Sequence, residues 1–334
     1  MTTSLLAQAA TSTWITFDLG ALAENFGSAT VEGLTFGAIY ALVALGYTLV
    51  YGVLNLMNFA HSEVFIIGAY TIFFTLSTLG FGPDAPNLGV WAIVANLLLA
   101  TVLAMLASAT VALVMERIAY RPLRKRGAPR LAFLITAIGI SFTLQYLIFL
   151  WRGPNAERAV TMFVPEPVFD IGGTIINSQH LVIVVAAVAV MIVTERVVAK
   201  TRIGRGIRAV AQDPDTATLM GVNKERIIMT TFVIGGLLAG IGALFYVMKL
   251  PSGVQYNAGF VLGIKAFAAA VLGGIGNVRG ALVGGLLLGL ISNYGQLILG
   301  NGQWADVVAF VILVLVLLVK PTGLLGTSLG RSRA

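Results

Sequence analysis

Residues 54–70 read LNLMNFAHSEVFIIGAY, and their reading decides how the chain is organised. Apolar runs long enough to enter a bilayer flank the stretch on both sides. Within it stand Asn55, Asn58, His61, Ser62 and Glu63, with no Lys or Arg nearby. If the flanking runs are membrane helices, these residues form either a tight turn at the surface or a break in the helix at membrane depth. Non-helical backbone at that depth is tolerated only where protein buries it or it lines a watery cavity.

The surrounding sequence supports the membrane reading. The chain has 334 residues, 58% hydrophobic and only 10% charged; a soluble domain carries about 25% charged residues. Apolar stretches near the 20 or so residues that cross about 30 Å of hydrocarbon recur at 32–53, 64–80, 89–116, 131–151, 179–198, 227–249, 259–276, 281–299 and 304–321. The expected fold is an all-α polytopic membrane protein of about eight to ten transmembrane helices, with a polar break near 54–63. Trp91, Trp151 and Trp304 fall at span ends, where interfacial anchoring accounts for them.

Several chemistries are excluded or disfavoured. There is no cysteine, hence no disulfide or thiolate metal site, and the two histidines, His61 and His180, argue against a multi-histidine metal centre. No G-x-x-x-x-G-K-[ST] loop is present to cradle nucleotide phosphates. The run GGIGNVRG (273–280) joins two apolar runs with no strand before it, so it reads as a tight interfacial turn. No catalytic grouping, metal site or nucleic-acid partner is expected.

The net charge of +7 is placed as in a membrane protein. Six basic residues lie between Arg117 and Arg130 and seven between Arg196 and Arg226, thirteen of the 21 in two loops. Both loops are expected on the cytoplasmic side. Counting spans from them puts loop 152–178 and the N-terminus outside and the tail with Lys320, Arg331 and Arg333 inside. Asp18 and Glu24, with no basic residue through position 31, agree. The stretch SLLAQAA lacks a basic n-region, so no cleaved signal peptide is expected. Before Arg117 there is no Lys or Arg, and the charge rule cannot place residues 54–63. Glu116–Arg117 and Glu195–Arg196 mark inner span ends and read as local ion pairs.

Glycine is the second organising signal, 38 residues in all. Gly236–Gly240, Gly259–Gly263, Gly280–Gly284 and Gly285–Gly289 are small-xxx-small pairs that let helix backbones approach closely in lipid. Packing within the chain is the expectation, with a homo- or heterodimer seam as the alternative. In AQDPDTATLMGVN (211–223) the signals of a short helix coincide. Asp213 can N-cap, Pro214 suits the first position, Asp215 favours the positive end of the dipole, and Gly221 can stop the helix. A helix this short is marginal alone in water, so it should dock on something.

The blocks GAIYALVALGYTLVYGVLNLMNFAHSEVFIIGAY, ERIAYRPLRKR, TRIGRGIRAVAQDPDTATLMGVN, FVIGGLLAGIGALFY, GIKAFAAAVLGGIGNVRGALVGGLLLGL and PTGLLG, taken in order, resemble bacterial branched-chain amino-acid ABC transporter permeases, the H-type subunit in particular. That family also includes permeases for urea and short amides. The resemblance implies an importer of the bacterial inner membrane. Its parts would be this chain, a homologous M-type permease subunit, two cytoplasmic ABC ATPase subunits and a periplasmic substrate-binding protein. ATP and Mg would be bound by the ATPases, leaving no cofactor in this chain. Residues 1–31 would be a periplasmic segment, 32–326 the permease domain and 327–334 a cytoplasmic tail. The helix at 213–221 would be the ATPase-coupling helix, with Arg208, Ala209, Asp213, Ala217 and Gly221 matching the family pattern. Gln212 stands where Glu is frequent, and Ser62 where Gly is.

A polar break between membrane helices is what transporters use to line a path. Asn55, Asn58, His61, Glu63 and Lys265 are the candidates, with Glu63 facing a substrate ammonium and Lys265 a carboxylate, or the two pairing with each other. The alternative is structural: Asn and His satisfying helix ends, Glu63 and Lys265 reaching toward the headgroups. An ion-gradient-driven carrier or channel would also use a broken helix but leaves the 213–221 helix without a partner. A purely structural or sensory membrane subunit would transport nothing.

Overall fold

Away from water, backbone amides and carbonyls must pair within their own segment, so chain inside a bilayer is helical. In the computed structural model all nine apolar runs are helices. The structure describes residues 19–81, 89–156, 166–171, 173–250, 253–300 and 304–326. α1 (Leu19–Glu24) leads into α2 (Phe26–Leu54), and α3 (His61–Thr78) follows the break. α4 (Val90–Met115) continues through a π-helical turn, Glu116–Tyr120, into α5 (Arg121–Lys125). Then come α6 (Arg130–Arg152), a hairpin of β1 (Pro167–Ile171) and β2 (Thr174–Asn177), and α7 (Ser178–Lys200). The second basic loop folds as α8 (Arg202–Gln212) and α9 (Pro214–Leu219). α10 (Lys224–Lys249), α11 (Ala258–Gly273), α12 (Val278–Ile298) and α13 (Trp304–Val319) follow.

Six of these helices are long and apolar enough to cross a membrane unaided: α2, α4 with its extension, α6, α7, α10 and α12. The other three are shorter. α3 has 18 residues and α11 and α13 have 16 each, about 27 and 24 Å of helix. Two features depart from the sequence reading. α2 begins at residue 26 rather than 32: Ser28 and Thr30 return their hydroxyls to the carbonyls of Asn25 (2.9 Å) and Phe26 (2.6 Å), and Glu32 is neutralised by Lys249 at 2.7 Å. Of the segment 1–31, then, residues 19–24 and 26–31 are helical; residues 1–18 and the tail 327–334 lie outside the described residues. The antiparallel hairpin in loop 152–178 was not anticipated. Its turn is closed by the Gly173 amide donating to Asp170 Oδ1 at 3.0 Å, with Gly173 at φ +84°.

The bundle is assembled around α2, which is buried nearly all round and packs most extensively on α12. The seam is glycine on glycine. A methyl group at Gly285 would lie 2.5 Å from Ala41 Cα, one at Gly289 2.5 Å from Gly37 Cα, and one at Gly37 2.8 Å from Leu286 Cα. The remaining pairs also pack within the chain. Gly236 and Gly240 receive Ala109 and Met105 of α4, Gly259 and Gly263 receive Ile66 and Ser62 of α3, and Gly280 and Gly284 receive the end of α11. By contrast α6, α7 and α13 turn large apolar side chains outward, among them Leu150, Val185 and Leu318, as lipid-facing helices do.

A side chain at Gly37 or Gly289 must therefore push α2 and α12 apart. We expect Gly37→Leu to abolish recovery of folded, detergent-stable protein. Gly52→Ala, where nothing lies within 4 Å of the new methyl, should instead raise stability by about 0.5–1 kcal/mol through helix propensity. Thermal unfolding in detergent, with the yield of monodisperse protein, reads both.

Candidate functional site

The break after α2 is made by Asn55, whose φ of +51° closes the helix in the left-handed region, with its N–H still bonded to Tyr51 O. Asn55 is exposed at the end of the bundle that carries the basic loops, near Arg124, Lys125 and Arg130 around a cavity of about 530 Å³. The chain then folds back into the bundle. His61 lies against Gly46, where an added methyl would meet its Nε2. Gly46 is eight residues, about 12 Å of helix, deeper than Leu54. The break is thus a surface turn at Asn55 that re-enters to membrane depth by His61.

Inside, the polar residues are packed. Asn58, His61, Ser62 and Glu63 are all buried, Glu63 completely. Tyr120 Oη donates to Asn58 Oδ1 at 2.7 Å, Ser62 Oγ to Phe59 O at 2.9 Å, and Ser141 Oγ to Glu63 Oε1 at 3.3 Å. The His61 ring stands edge-on to Tyr47 at 4.9 Å, and Tyr47 and Phe59 both meet Phe267. His61 Nε2 and Glu63 Oε2 have no hydrogen-bond partner. Of the five path candidates, Asn55 and Lys265 line cavities, one at each end of the bundle.

Lys265 does not pair with Glu63. Its Nζ lies 2.6 Å from Asp306 Oδ1 and 5.9 Å from the Tyr40 ring centre. These groups border a cavity of about 600 Å³ with Phe36, Tyr246, Ser292 and Gln296. Leu250 at the far end of α10 also lines it, so the cavity belongs to the half of the bundle opposite the basic loops. Asp306 escaped the sequence reading, although a lone acid near the start of WADVVAFVILVLVLLV is a signal of its own.

At the basic end the expected pairs Glu116–Arg117 and Glu195–Arg196 do not form. Adjacent residues on a helix point to different sides. Glu116 takes Arg124 at 2.5 Å, reached through the π-turn, and Glu195 takes Arg279 at 2.6 Å. Arg124 and Arg121 also bind Glu225 of α10, at 2.9 and 3.2 Å, so α5 is tied to α10. Next to this network stands α9. Asp213 Oδ1 accepts the amides of Asp215 (2.9 Å) and Thr216 (3.1 Å), and Oδ2 accepts the Thr216 hydroxyl (2.5 Å). At the other end the Val222 amide reaches Ala217 O and the Gly221 amide Thr218 O, a Schellman closure with Gly221 at φ +84°. Ala217 is buried, whereas Leu219 and Met220 are 87% and 80% exposed. Arg208 bonds back to Val198 O, fixing α8 against α7, and Ala209 packs on the core. Among the described residues no cluster of acids and histidines could hold a metal ion.

A long-helix apolar bundle with a cavity at each end and a capped helix on its basic face defines a multi-pass membrane permease subunit. The chain belongs to the family described as branched-chain amino acid transport system / permease component, which matches residues 29–317. It is 40% identical to the high-affinity branched-chain amino acid transport system permease protein BraD of Pseudomonas aeruginosa, over 89% of this chain and 94% of that one. Identity to LivH of Escherichia coli K12, which carries the same description, is 38% over 88% and 94%. To a probable branched-chain amino acid transport permease protein LivH of Methanocaldococcus jannaschii it is 26% over 89% and 91%. No solved structure matches the chain.

Two outcomes follow from the basic face. Arg124→Met strands the buried Glu116 carboxylate and should cost about 3–5 kcal/mol, while the double change with Glu116→Gln should recover most of that in thermal unfolding. The Asp213 carboxyl is held below the usual range, chiefly by the Thr216 hydroxyl and then by the Thr216 and Asp215 amides. Its contribution to the cap is therefore complete above the unfolded value of about 3.9 and disappears as pH falls through the lower folded value. Hydrogen exchange at Asp215 and Thr216, corrected for intrinsic rate, should stay protected at neutral pH and lose protection only in that acid range.

Proposed function

We propose that this chain is the permease subunit of an ATP-driven importer of branched-chain amino acids in a bacterial inner membrane. It works beside a second, homologous permease chain, two cytoplasmic ATPases that hold ATP and Mg, and a periplasmic binding protein that delivers substrate. The chain itself makes and breaks no covalent bond. The observation that carries this reading is α9, a six-residue helix capped at both ends that holds Leu219 and Met220 out on the basic face. Apolar residues on so short a helix have their use in another protein's groove.

The connections of α9 explain how a push there reaches the membrane. Lys224, the first residue of α10, is joined to Asp215 of α9 at 3.3 Å. α10 packs on α2, α3 and α4, so a displacement of α9 by closing ATPases moves a helix in contact with most of the core. Asp213, Ala217 and Gly221 shape α9, while Arg208 and Ala209 fasten α8 beneath it.

In proteoliposomes holding the assembled complex, leucine uptake should require ATP. Asp213→Ala removes the cap, and Gly221→Val forces a β-branched residue into a conformation it avoids. Both should lower leucine-stimulated ATP hydrolysis and leave membrane insertion intact. Uptake that runs on a sodium or proton gradient without ATP, or full stimulation in both variants, overturns the proposal.

A further inference from the structure

The outer cavity lies beside two short helices. α11 and α13 have 16 residues each, about 24 Å, against 29 in α2 and 26 in α10 beside them. α11 begins deep: Val254, four residues before it, accepts from Tyr70 Oη in the middle of α3. The cavity lies alongside the first two turns of α11, between it and α2, α10, α12 and the start of α13. Lys265 of α11 and Asp306 of α13 stand at its floor, 2.6 Å apart and partly accessible. Ser292 lies on its wall, a buried hydroxyl with no partner. Phe36, Val261 and Leu262 supply apolar surface.

We propose that this cavity is the receiving site for the substrate, and that the Lys265–Asp306 pair opens to take both charged ends of a zwitterionic α-amino acid. The proposal rests on the importer reading and adds to it the residues that recognise the amino-acid group. The substrate carboxylate turns to Lys265 and its ammonium to Asp306, while the branched side chain lies against Phe36, Val261 and Leu262. One ion pair is exchanged for two, and neither protein charge is left bare at any stage. With side-chain exposures of 18% and 36% the pair is reached from the cavity, and it re-forms once the substrate has moved on. An uncharged amide such as urea offers no such exchange. The cavity's place, in the half of the bundle away from α9, is the place where a molecule delivered from outside would arrive.

The test is uptake of labelled leucine by the complete complex in proteoliposomes, with assembly followed by co-purification. Lys265→Met and Asp306→Asn should each lower uptake about tenfold or more, the worth of one charge-assisted hydrogen bond. The decisive variant is the double one. If the pair only holds α11 to α13, neutralising both partners leaves no stranded charge, and uptake returns toward wild type; that result overturns the proposal. If the pair receives substrate, the double variant stays as impaired as the singles. Because the chain has no cysteine, Val261→Cys on the cavity wall gives an independent reading. Leucine with its binding protein should slow labelling of that cysteine at least several-fold, and unchanged labelling would again count against the site. A wild-type complex that imports no branched-chain amino acid removes the importer reading and this inference with it. A wild type that imports leucine beside a fully active double variant removes the inference alone.

Discussion

Lipid gives two helices no hydrophobic reason to associate, because the tails around them are as apolar as their own side chains. What remains is contact, and the bundle depends on how closely α12 approaches α2 at Gly285 and Gly289. With glycine opposite Gly37 and Ala41, the two backbones themselves touch, and many weak dispersion contacts accumulate along the seam. α2 is thereby enclosed, and the polar stretch that follows it is enclosed as well. Asn58, His61, Ser62 and Glu63 are tolerated at membrane depth because protein surrounds them on every side.

The two cavities lie on either side of a packed waist. Along α2, Phe36 and Tyr40 line the cavity that holds Lys265 and Asp306, and Val53 and Leu54 the one at the basic end. Between them Tyr47 meets His61 and Phe267, and Phe59 closes against Phe267 from the other side. These ring contacts involve few directional bonds. The Glu116–Arg124–Glu225 network fastens the inner ends of α4 and α10, and Glu32 joins Lys249 at the outer end.

Much of this was written locally and could be read locally. The nine apolar runs became nine helices, and the signals from Asp213 to Gly221 became a helix with those caps, because a cap is a contract between residues two to five apart. What escaped depends on distance. A Lys265–Glu63 pair was one of the alternatives because both are charges in apolar sequence. Yet the nearer partner was Asp306, brought in by a helix 40 residues further along. Glu116 and Glu195 were assigned to the arginines next to them, whereas helix geometry turns neighbours apart and hands each acid to a residue on another element. The depth of the break was illegible for a related reason: without a Lys or Arg before position 117, only the packing of His61 on Gly46 reveals how far the chain re-enters.

The polar start of α3 bears on how the protein is made. At 18 residues it is long enough to span, but with His61, Ser62 and Glu63 in its first turn it is not among the helices apolar enough to enter a bilayer alone. Its flanking helices α2 and α4 carry the hydropathy to enter alone. Ser141, which bonds Glu63, lies on α6 and leaves the ribosome nearly 80 residues later. During synthesis the carboxyl therefore spends an interval in the membrane, or at its edge, before its partner exists. The elements that cover α3 in the finished bundle, α6 and the glycine-bearing faces of α10 and α11, all follow it in the chain.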